Sequence, residues 1–173
     1  MEDTYLKVSF TTEKDDEANA LQVYGSLDLI NIETNESKLV GHALLYIFNE
    51  FMVDSWNELI DNADSISGDV VEVIDVLYSA KENEEIYGLI AVLDHIEILK
   101  EYRKIGYSNE LLDKILDYLE YIGITYVGLI PARIYDNKVV ENEKNAIQYY
   151  ISKGFKPIAR KVGEKVVMGK SLL

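Results

Sequence analysis

The feature that most constrains the fold is a strand–helix–strand pattern in the second half of the sequence. Ile86–Leu99 is a long strand, and its Gly88–Leu93 segment is apolar on both faces, which is typical of the centre of a sheet. Asn109–Ile122 carries a helical stripe of leucine and isoleucine that ends at Gly123, and Ile124–Ile134 is a second buried strand. A crossover of this kind joins parallel neighbours, so the pattern predicts two adjacent parallel strands.

The remaining segments predict further strands and two sets of helices around this unit. Turn chemistry at Asn35–Ser37 predicts a hairpin, and a break at Ser67–Gly68 divides a mainly helical segment, Val53–Ala80. The other predicted elements are strands at Tyr5–Phe10, Leu21–Ile32, Leu39–Phe48, Phe155–Ile158 and Lys165–Met168, and a short helix at Asn145–Ser152 that Gly154 ends. The fold class is therefore α/β, with an α+β mixed sheet flanked by helices.

Composition indicates one globular domain over residues 1–173. Apolar residues make up 48% of the chain, and there is no linker-like segment. The chain has no cysteine, which excludes disulfides, thiolate–zinc sites and cysteine nucleophiles and fits a reducing compartment. The acidic N-terminal segment is unlike a signal peptide, and the longest apolar run is too short to span a bilayer. We expect a soluble, cytoplasmic protein with no membrane partner and no metal site.

The net charge of −14 is unevenly distributed. Residues 1–97 contain 22 acidic and 4 basic side chains, whereas residues 98–173 contain 9 acidic and 13 basic ones. This asymmetry suggests two different ligand preferences, although acidic residues also keep small proteins soluble. No basic patch is dense enough for phosphate neutralisation along a nucleic acid, so we expect no nucleic-acid partner.

The turn between the first crossover strand and its helix is a candidate phosphate site. A helix N-terminus presents free backbone N–H groups and a partial positive charge. Gly106 allows an anion to approach the backbone closely, and Arg103 and Lys104 add fixed charge. An ordinary turn with a structural glycine and a solvated arginine is the alternative.

Two segments resemble signatures of one family. Residues 96–108, IEILKEYRKIGYS, resemble the acetyl-CoA signature of the GCN5-related N-acetyltransferase (GNAT) superfamily, Arg/Gln-x-x-Gly-x-Gly/Ala after a central strand. Residues 145–155, NAIQYYISKGF, are similar to its second signature, Ala-Ile-x-x-Tyr-x-x-x-Gly-Phe. The two occur in the family's order with strand, helix and strand between them, and the resemblance covers about residues 86–170.

The resemblance implies a GNAT-like central mixed sheet with a splay between two central parallel strands. Residues 1–85 would form the acceptor side and residues 86–173 the CoA-binding half, with acetyl-CoA as co-substrate. The pantetheine arm would bond to the backbone of Ile96 and Ile98 like an extra strand, and backbone N–H groups of 104–108 would hold the pyrophosphate. The expected CoA-binding residues are Ile96, Glu97, Ile98, Arg103, Lys104, Ile105, Gly106, Tyr107, Ser108 and Asn145.

Amine acylation needs a base for the acceptor ammonium and an acid for the departing thiolate. Asp94 interrupts the apolar strand, and strict alternation places it on one face with Ile96 and Ile98. In similar acyltransferases a base commonly occupies this position; the alternative is an aspartate bonded to backbone at a sheet irregularity. His95 and Glu97 would face the other side, although a bulge would reverse this, which keeps Glu97 as a reserve base.

Tyr150 matches the family tyrosine that donates a proton to the thiolate. The alternative is that Tyr149 and Tyr150 are both packing residues. Three features depart from the family: Ser108 stands where glycine or alanine is usual, Glu143 where asparagine often contacts CoA, and the helical segment 53–80 follows the third strand instead of the first.

The expected activity is transfer of an acetyl group from CoA to a primary amine by direct attack. The acidic first half predicts a small cationic amine or a basic peptide as acceptor. Two alternatives are a catalytically silent CoA-binding or regulatory module of the same fold and an acidic interaction protein that imitates nucleic acid. The oligomeric state is open, with a homodimer among the candidates.

Overall fold

The computed structural model describes residues 3–132, 134–135, 138–139, 143–158 and 165–173. The strands are β1 (Thr4–Asp15), β2 (Ala20–Asn31), β3 (Ser37–Asn49), β4 (Leu89–Ile98), β5 (Tyr126–Leu129), β6 (Ile134–Tyr135), β7 (Lys138–Val139), β8 (Lys156–Pro157) and β9 (Met168–Ser171). The α-helices are α1 (Trp56–Asp64), α2 (Gly68–Glu84), α3 (Tyr107–Tyr121) and α4 (Glu143–Ser152). Short 3-10 turns lie at Glu50–Met52 and Lys100–Tyr102.

One mixed sheet organises the molecule. Its strand order is β1-β2-β3-β4-β5-β9-β8, and β6 and β7 form a separate two-stranded ribbon. The first four strands are antiparallel neighbours, and β4 and β5 are parallel. In the predicted hairpin between β2 and β3, the Asn31 side chain accepts hydrogen bonds from the backbone N–H groups of Glu33 and Thr34, both at 2.9 Å. The mixed sheet and its parallel central pair confirm the predicted fold class.

The two parallel strands pair over a short length only. Their register runs from Ile90 opposite Tyr126 to Leu93 opposite Leu129. β5 then ends, whereas β4 continues to Ile98 alongside β3. The predicted second strand, which extended to Ile134, was therefore too long. Among the described residues, no strand pairs with this edge of β4 beyond Leu93, and this gap corresponds to the predicted splay.

Helices cover both faces of the sheet. α3 and Tyr150 of α4 pack on one face, and α1 and α2 pack on the other. Close approach of α2 to β5 requires a glycine at position 128, because a Cβ atom there would lie 2.8 Å from Val73 Cγ1 and 3.0 Å from Leu77 Cδ1. α2 is thereby held directly beside the splay.

The helix pair follows β3 as predicted, and both helices begin at serine caps. Ser55 Oγ accepts from the N–H of Glu58, and Ser67 Oγ accepts from the N–H of Val70 at 3.1 Å, which is the predicted break at Ser67–Gly68. In the described part of the chain, every helix is too short or too polar to cross a membrane.

The Glu50 carboxylate fastens the helix pair to the sheet. It accepts hydrogen bonds from Trp56 Nε1 at 3.0 Å and from the N–H of Gly88 at 2.8 Å, and it pairs with Lys81 Nζ at 3.0 Å. Burial acts to raise the pKa of Glu50, but these three partners outweigh it and lower that pKa below its usual value. One ionised side chain thus joins β3, both helices and the start of β4.

Candidate functional site

A β-bulge at Asp94 sets the geometry of the site. In the register of β3 against β4, Leu45 is opposite Leu93 and Leu44 is opposite His95, so Asp94 is the extra residue. Strict alternation predicted that Asp94 shares a face with Ile96 and Ile98, and the bulge makes that prediction wrong. Ile96 and Ile98 pack on the α3 side of the sheet, whereas Asp94 lines a cleft with Asp69 of α2.

The bulge also places His95 and Glu97 on the same side as Asp94. Cross-strand partners in an antiparallel pair point to one face, and His95 and Glu97 are opposite Leu44 and His42. Leu44 packs against the core under α1 and α2, which identifies this face. Glu97, the reserve base, therefore lies on the same face of the sheet as Asp94.

A cleft opens in the splay and brings the two predicted catalytic residues together. Asp94 lines it from β4 and Tyr150 lines it from α4. The remaining walls come from β4, from the segment after β5 and from α2: Val92, Leu93, His95, Ile96, Ile130, Ala132, Asp69 and Val73. Residues that are far apart in sequence thus form one concave surface.

The environment of Asp94 favours its protonated form. Burial raises the pKa of this half-buried carboxyl, the negative charge of Asp69 raises it further, and His95 opposes both effects. Asp69 forms an ion pair with Lys165, so part of its charge is already compensated. A carboxyl with a raised pKa in a cleft is suited to proton transfer near neutral pH.

Tyr150 is held by the end of α4. Its carbonyl oxygen accepts a hydrogen bond from the N–H of Phe155 at 3.0 Å across a turn in which Gly154 has φ +87°. The Tyr150 ring packs edge-on against Phe155 at 5.6 Å between centroids and is only 4% exposed. The predicted motif is therefore a helix end that fixes a buried tyrosine beside the cleft. Asn145 lies exposed near the start of α4.

The predicted phosphate turn has an open, left-handed backbone. Lys104 has φ +64° and Gly106 has φ +95°, and α3 begins at Tyr107 with Gly106 as its N-cap. A Cβ atom at Gly106 would meet no atom within 4 Å, so the space over the turn is empty of described protein atoms. Lys104, Ile105 and Gly106 are exposed, and Tyr107 and Ser108 are partly buried.

Arg103 contacts the end of β4. Its Nε atom donates to the carbonyl oxygen of Ile98 at 2.8 Å, and its guanidinium lies 3.6 Å from Glu97 Oε1. The side chain is 14% exposed. The prediction that Arg103 adds fixed charge above the turn is therefore not matched by its orientation; the exposed cations there are Lys100 and Lys104.

The backbone N–H and C=O groups of Ile96 and Ile98 point toward the splay. The N–H of Leu99 donates to Val40 of β3 at 2.8 Å, so Leu99 directs its polar groups toward β3. Successive residues alternate, and Ile98 and Ile96 therefore direct theirs toward the side on which β5 has ended.

Sequence reasoning did not identify two residues of the site, Asp69 and His42. Asp69 reaches the cleft because α2 packs on β5, and His42 reaches Glu97 because of the register of β3. His42 Nε2 lies 3.7 Å from Glu97 Oε2, and His95 Nε2 lies 3.3 Å from the same oxygen. Cross-strand register decides such contacts, and local sequence does not specify it.

Comparison with solved structures identifies the fold. The KacTA–DNA complex matches with a TM-score of 0.53 at 10% identity, covering 97% of this chain and 94% of that one. AtaT in complex with acetyl-methionyl-tRNAfMet matches with a TM-score of 0.50 at 13% identity over 96% and 95% of the two chains. A mutant of KacT matches with a TM-score of 0.50 at 12% identity over the same shares. No protein-family model and no curated protein sequence matches the chain.

The chain has the GNAT fold. The likeness to these structures extends over almost the whole of both chains, and the mixed sheet with its parallel pair β4–β5 matches a GNAT-like α/β fold. At 10 to 13% identity the likeness concerns the fold alone.

Proposed function

We propose that the chain transfers an acetyl group from acetyl-CoA to a primary amine in the cleft between β4 and β5. The observation that carries this proposal is that Asp94 and Tyr150 line one cleft at the splay of a GNAT fold. A carboxyl with a raised pKa and a buried phenol are a suitable base and acid for amine acylation.

The residues present fit acetyl-CoA. The backbone groups of Ile96 and the N–H of Ile98 face the edge of β4 beyond β5, where an extended pantetheine could bond as a strand would, while the Ile98 carbonyl oxygen accepts from Arg103. The open space around Gly106 and the start of α3, where no side chain caps the N–H groups, suit a pyrophosphate, and Lys104 adds positive charge. Arg103 would act by holding this turn against β4.

Acetyl-CoA supplies an activated thioester. Asp94 accepts the proton of the acceptor ammonium, directly or through water, so that the amine can form its bond to the acetyl carbon. Tyr150 donates its phenolic proton to the thiolate that leaves as the carbon–sulfur bond breaks. The attacking nitrogen loses its second proton as the amide forms, and this proton returns to the Tyr150 phenolate. Tyr107 and Ser108 contribute backbone N–H groups at the start of α3, and Asn145 is a further contact from α4.

The acceptor is a cation in this proposal. Asp69 and Asp94 both line the cleft, and the first 97 residues carry a large acidic excess. A small polyamine, an aminoglycoside-like amine or a basic peptide would be attracted to this side. The absence of cysteine fits a cytoplasmic location for the reaction.

Aminoacyl-tRNA is a second acceptor class. AtaT is solved in complex with acetyl-methionyl-tRNAfMet, so a protein of this fold binds an acetylated aminoacyl-tRNA. The acidic excess of residues 1–97 disfavours contacts to phosphates, and we therefore rank this acceptor below a small cation.

The test is release of free thiol from acetyl-CoA in the presence of an amine panel. The panel contains a polyamine, an aminoglycoside, a lysine-rich peptide, an arylalkylamine with a single positive charge and methionyl-tRNA. We expect the highest kcat/KM for the small cations, with a decrease as salt is added. Turnover with methionyl-tRNA alone would move the acceptor assignment to RNA, and binding of acetyl-CoA without any turnover would support the silent-module alternative.

A further inference from the structure

Three side chains on neighbouring strands converge beside the cleft, and we name them the His–His–Glu cluster: His42 of β3 and His95 and Glu97 of β4. The chain contains two histidines, and both belong to this cluster. The histidine rings are stacked with centroids 5.3 Å apart, and Tyr24 stacks on His42 at 5.9 Å. The ring planes are thus fixed by packing on the sheet.

The donor atoms of the cluster have nearly the separations of a metal site. His95 Nε2 and His42 Nε2 lie 3.3 Å and 3.7 Å from the same oxygen, Glu97 Oε2. One ligand atom from each of the three residues lies within 4.8 Å of the other two. Donors at about 2.0–2.1 Å from a tetrahedral Zn²⁺ are about 3.3 Å apart, so the two distances to Glu97 are close to the required length.

Neighbouring residues orient and shield the side chains of the His–His–Glu cluster. The guanidinium of Arg103 lies 3.6 Å from the other Glu97 oxygen, Oε1, which orients Oε2 toward the imidazoles. The His42, His95 and Glu97 side chains are 25%, 19% and 11% exposed, so all three are partly shielded from solvent on this face of the sheet.

We propose that the His–His–Glu cluster binds one divalent ion of the Zn²⁺ class through His42, His95 and Glu97. Two imidazoles and one carboxylate are a donor set for Zn²⁺ and its borderline neighbours rather than for Mg²⁺ or Ca²⁺. Three protein ligands leave a coordination position for water or for a donor atom of the acceptor. His95 also lines the cleft, so the ion would lie at the wall of the cleft.

This inference goes beyond acetyl transfer and does not depend on it. It also departs from the sequence-based expectation of no metal site, because His42 and His95 are distant in the chain and meet only through strand register. A cluster in which both imidazoles simply donate to Glu97 is the competing interpretation. The two differ in whether the protein takes up a metal ion when no CoA is present.

The test uses the full chain, stripped with a chelator and titrated with Zn²⁺ in competition with a chromophoric chelator at pH 7.5. We expect one equivalent to bind, with affinity reduced at least about 10–100-fold in His42→Ala, His95→Ala and Glu97→Gln. Glu101→Gln, which removes an exposed carboxylate near the end of β4, is the matched control and should bind as the unmodified protein does.

Co²⁺ provides a readout of the ligands themselves. Absorption bands of four-coordinate Co²⁺ should appear at one equivalent and be absent in His42→Ala. Circular dichroism of each variant establishes that it is folded, and His42→Asn serves as a milder replacement if the alanine variant unfolds. Weak Zn²⁺ uptake that is unchanged in folded His42 and Glu97 variants, or preferential uptake of Mg²⁺, would overturn the proposal.

Discussion

Arg103 Nε donates a 2.8 Å hydrogen bond to the carbonyl oxygen of Ile98. This bond joins the turn at the start of α3 to the end of β4, the two places where the proposed CoA site needs backbone groups. The sequence alone favoured a solvated or phosphate-facing arginine. In the fold, the Arg103 side chain instead fixes the position of the turn relative to the edge of β4.

Replacing Gly106 with alanine should weaken acetyl-CoA binding and lower stability. Position 106 has φ +95° with open space around it, so the penalty comes from the left-handed backbone and amounts to about 1–2 kcal/mol. Relief of this strain would rotate the N–H groups at the start of α3. Calorimetric titration should show weaker binding together with a lower Tm.

Gly123→Ala is the matched control for this change. Position 123 lies after the other end of α3, has φ +87° and is equally open. It should lower Tm by a similar amount while acetyl-CoA affinity is retained. Equal loss of affinity in both variants would mean that general stability, and not the turn, determines binding.

Much of this site could be predicted from the sequence, because several of its features depend on residues that are close together in the chain. The turn glycine at 106 and the spacing from Tyr150 to Gly154 and Phe155 are features of single helix ends, which local sequence encodes. The bulge at Asp94, the early end of β5 at Leu129 and the approach of His42 depend on partner strands. Such pairings are settled by packing of the whole sheet, and alternation along one strand could not reveal them.

Replacing Asp94 with asparagine should lower kcat/KM for acetyl transfer by about 10²–10⁴-fold. Asparagine keeps the size of the side chain but cannot accept the ammonium proton. Thiol release measures the rate, and calorimetry should give an unchanged affinity for acetyl-CoA. Wild-type turnover in Asp94→Asn would remove Asp94 as the base and leave Glu97 to be tested in the same way.

The Tyr150 hydroxyl should matter for turnover and not for folding. Tyr150→Phe keeps the ring packed against Phe155 and removes the proton for the thiolate, so we expect kcat to fall by about 10²-fold or more. Tyr149→Phe is the control, since Tyr149 packs edge-on against Tyr150 at 5.1 Å and is not among the described residues lining the cleft. Equal effects of the two changes on kcat would argue for a packing role.

The pH profile should respond to Asp69. Burial and Asp69 raise the pKa of Asp94, and the base must be ionised, so activity should rise as pH increases through this raised pKa. Asp69→Asn removes the like charge, and the acid limb of kcat/KM should therefore move to lower pH. Lys165→Gln also breaks the ion pair between Lys165 and Asp69, but it leaves the negative charge of Asp69 in place. The acid limb of this variant should therefore stay in place or move to higher pH. Identical shifts in both variants would show that the ion pair, and not the charge of Asp69, controls the titration.

The same pKa shift has a consequence for stability. Because the folded pKa of Asp94 is raised, its contribution to the free energy of unfolding is most favourable below the unfolded pKa and is lost as pH rises through the folded one. Asp94→Asn should therefore be more stable than the unmodified protein at neutral pH, with a difference that shrinks on acidification. Denaturant unfolding at several pH values measures this, and a difference that grew on acidification would contradict the assigned shift.

Hydrogen exchange with and without acetyl-CoA tests whether the ligand binds along the edge of β4 and over the turn. We expect acetyl-CoA to slow exchange of the backbone N–H groups at Ile96 and Ile98 and across residues 104–108, because the pantetheine and pyrophosphate would bond to them. Exchange in β1, on the far edge of the sheet, should be unchanged. Binding of acetyl-CoA without protection of the β4 edge and the turn would show that the ligand binds elsewhere, and no binding at sub-millimolar concentration would exclude acetyl-CoA as the co-substrate.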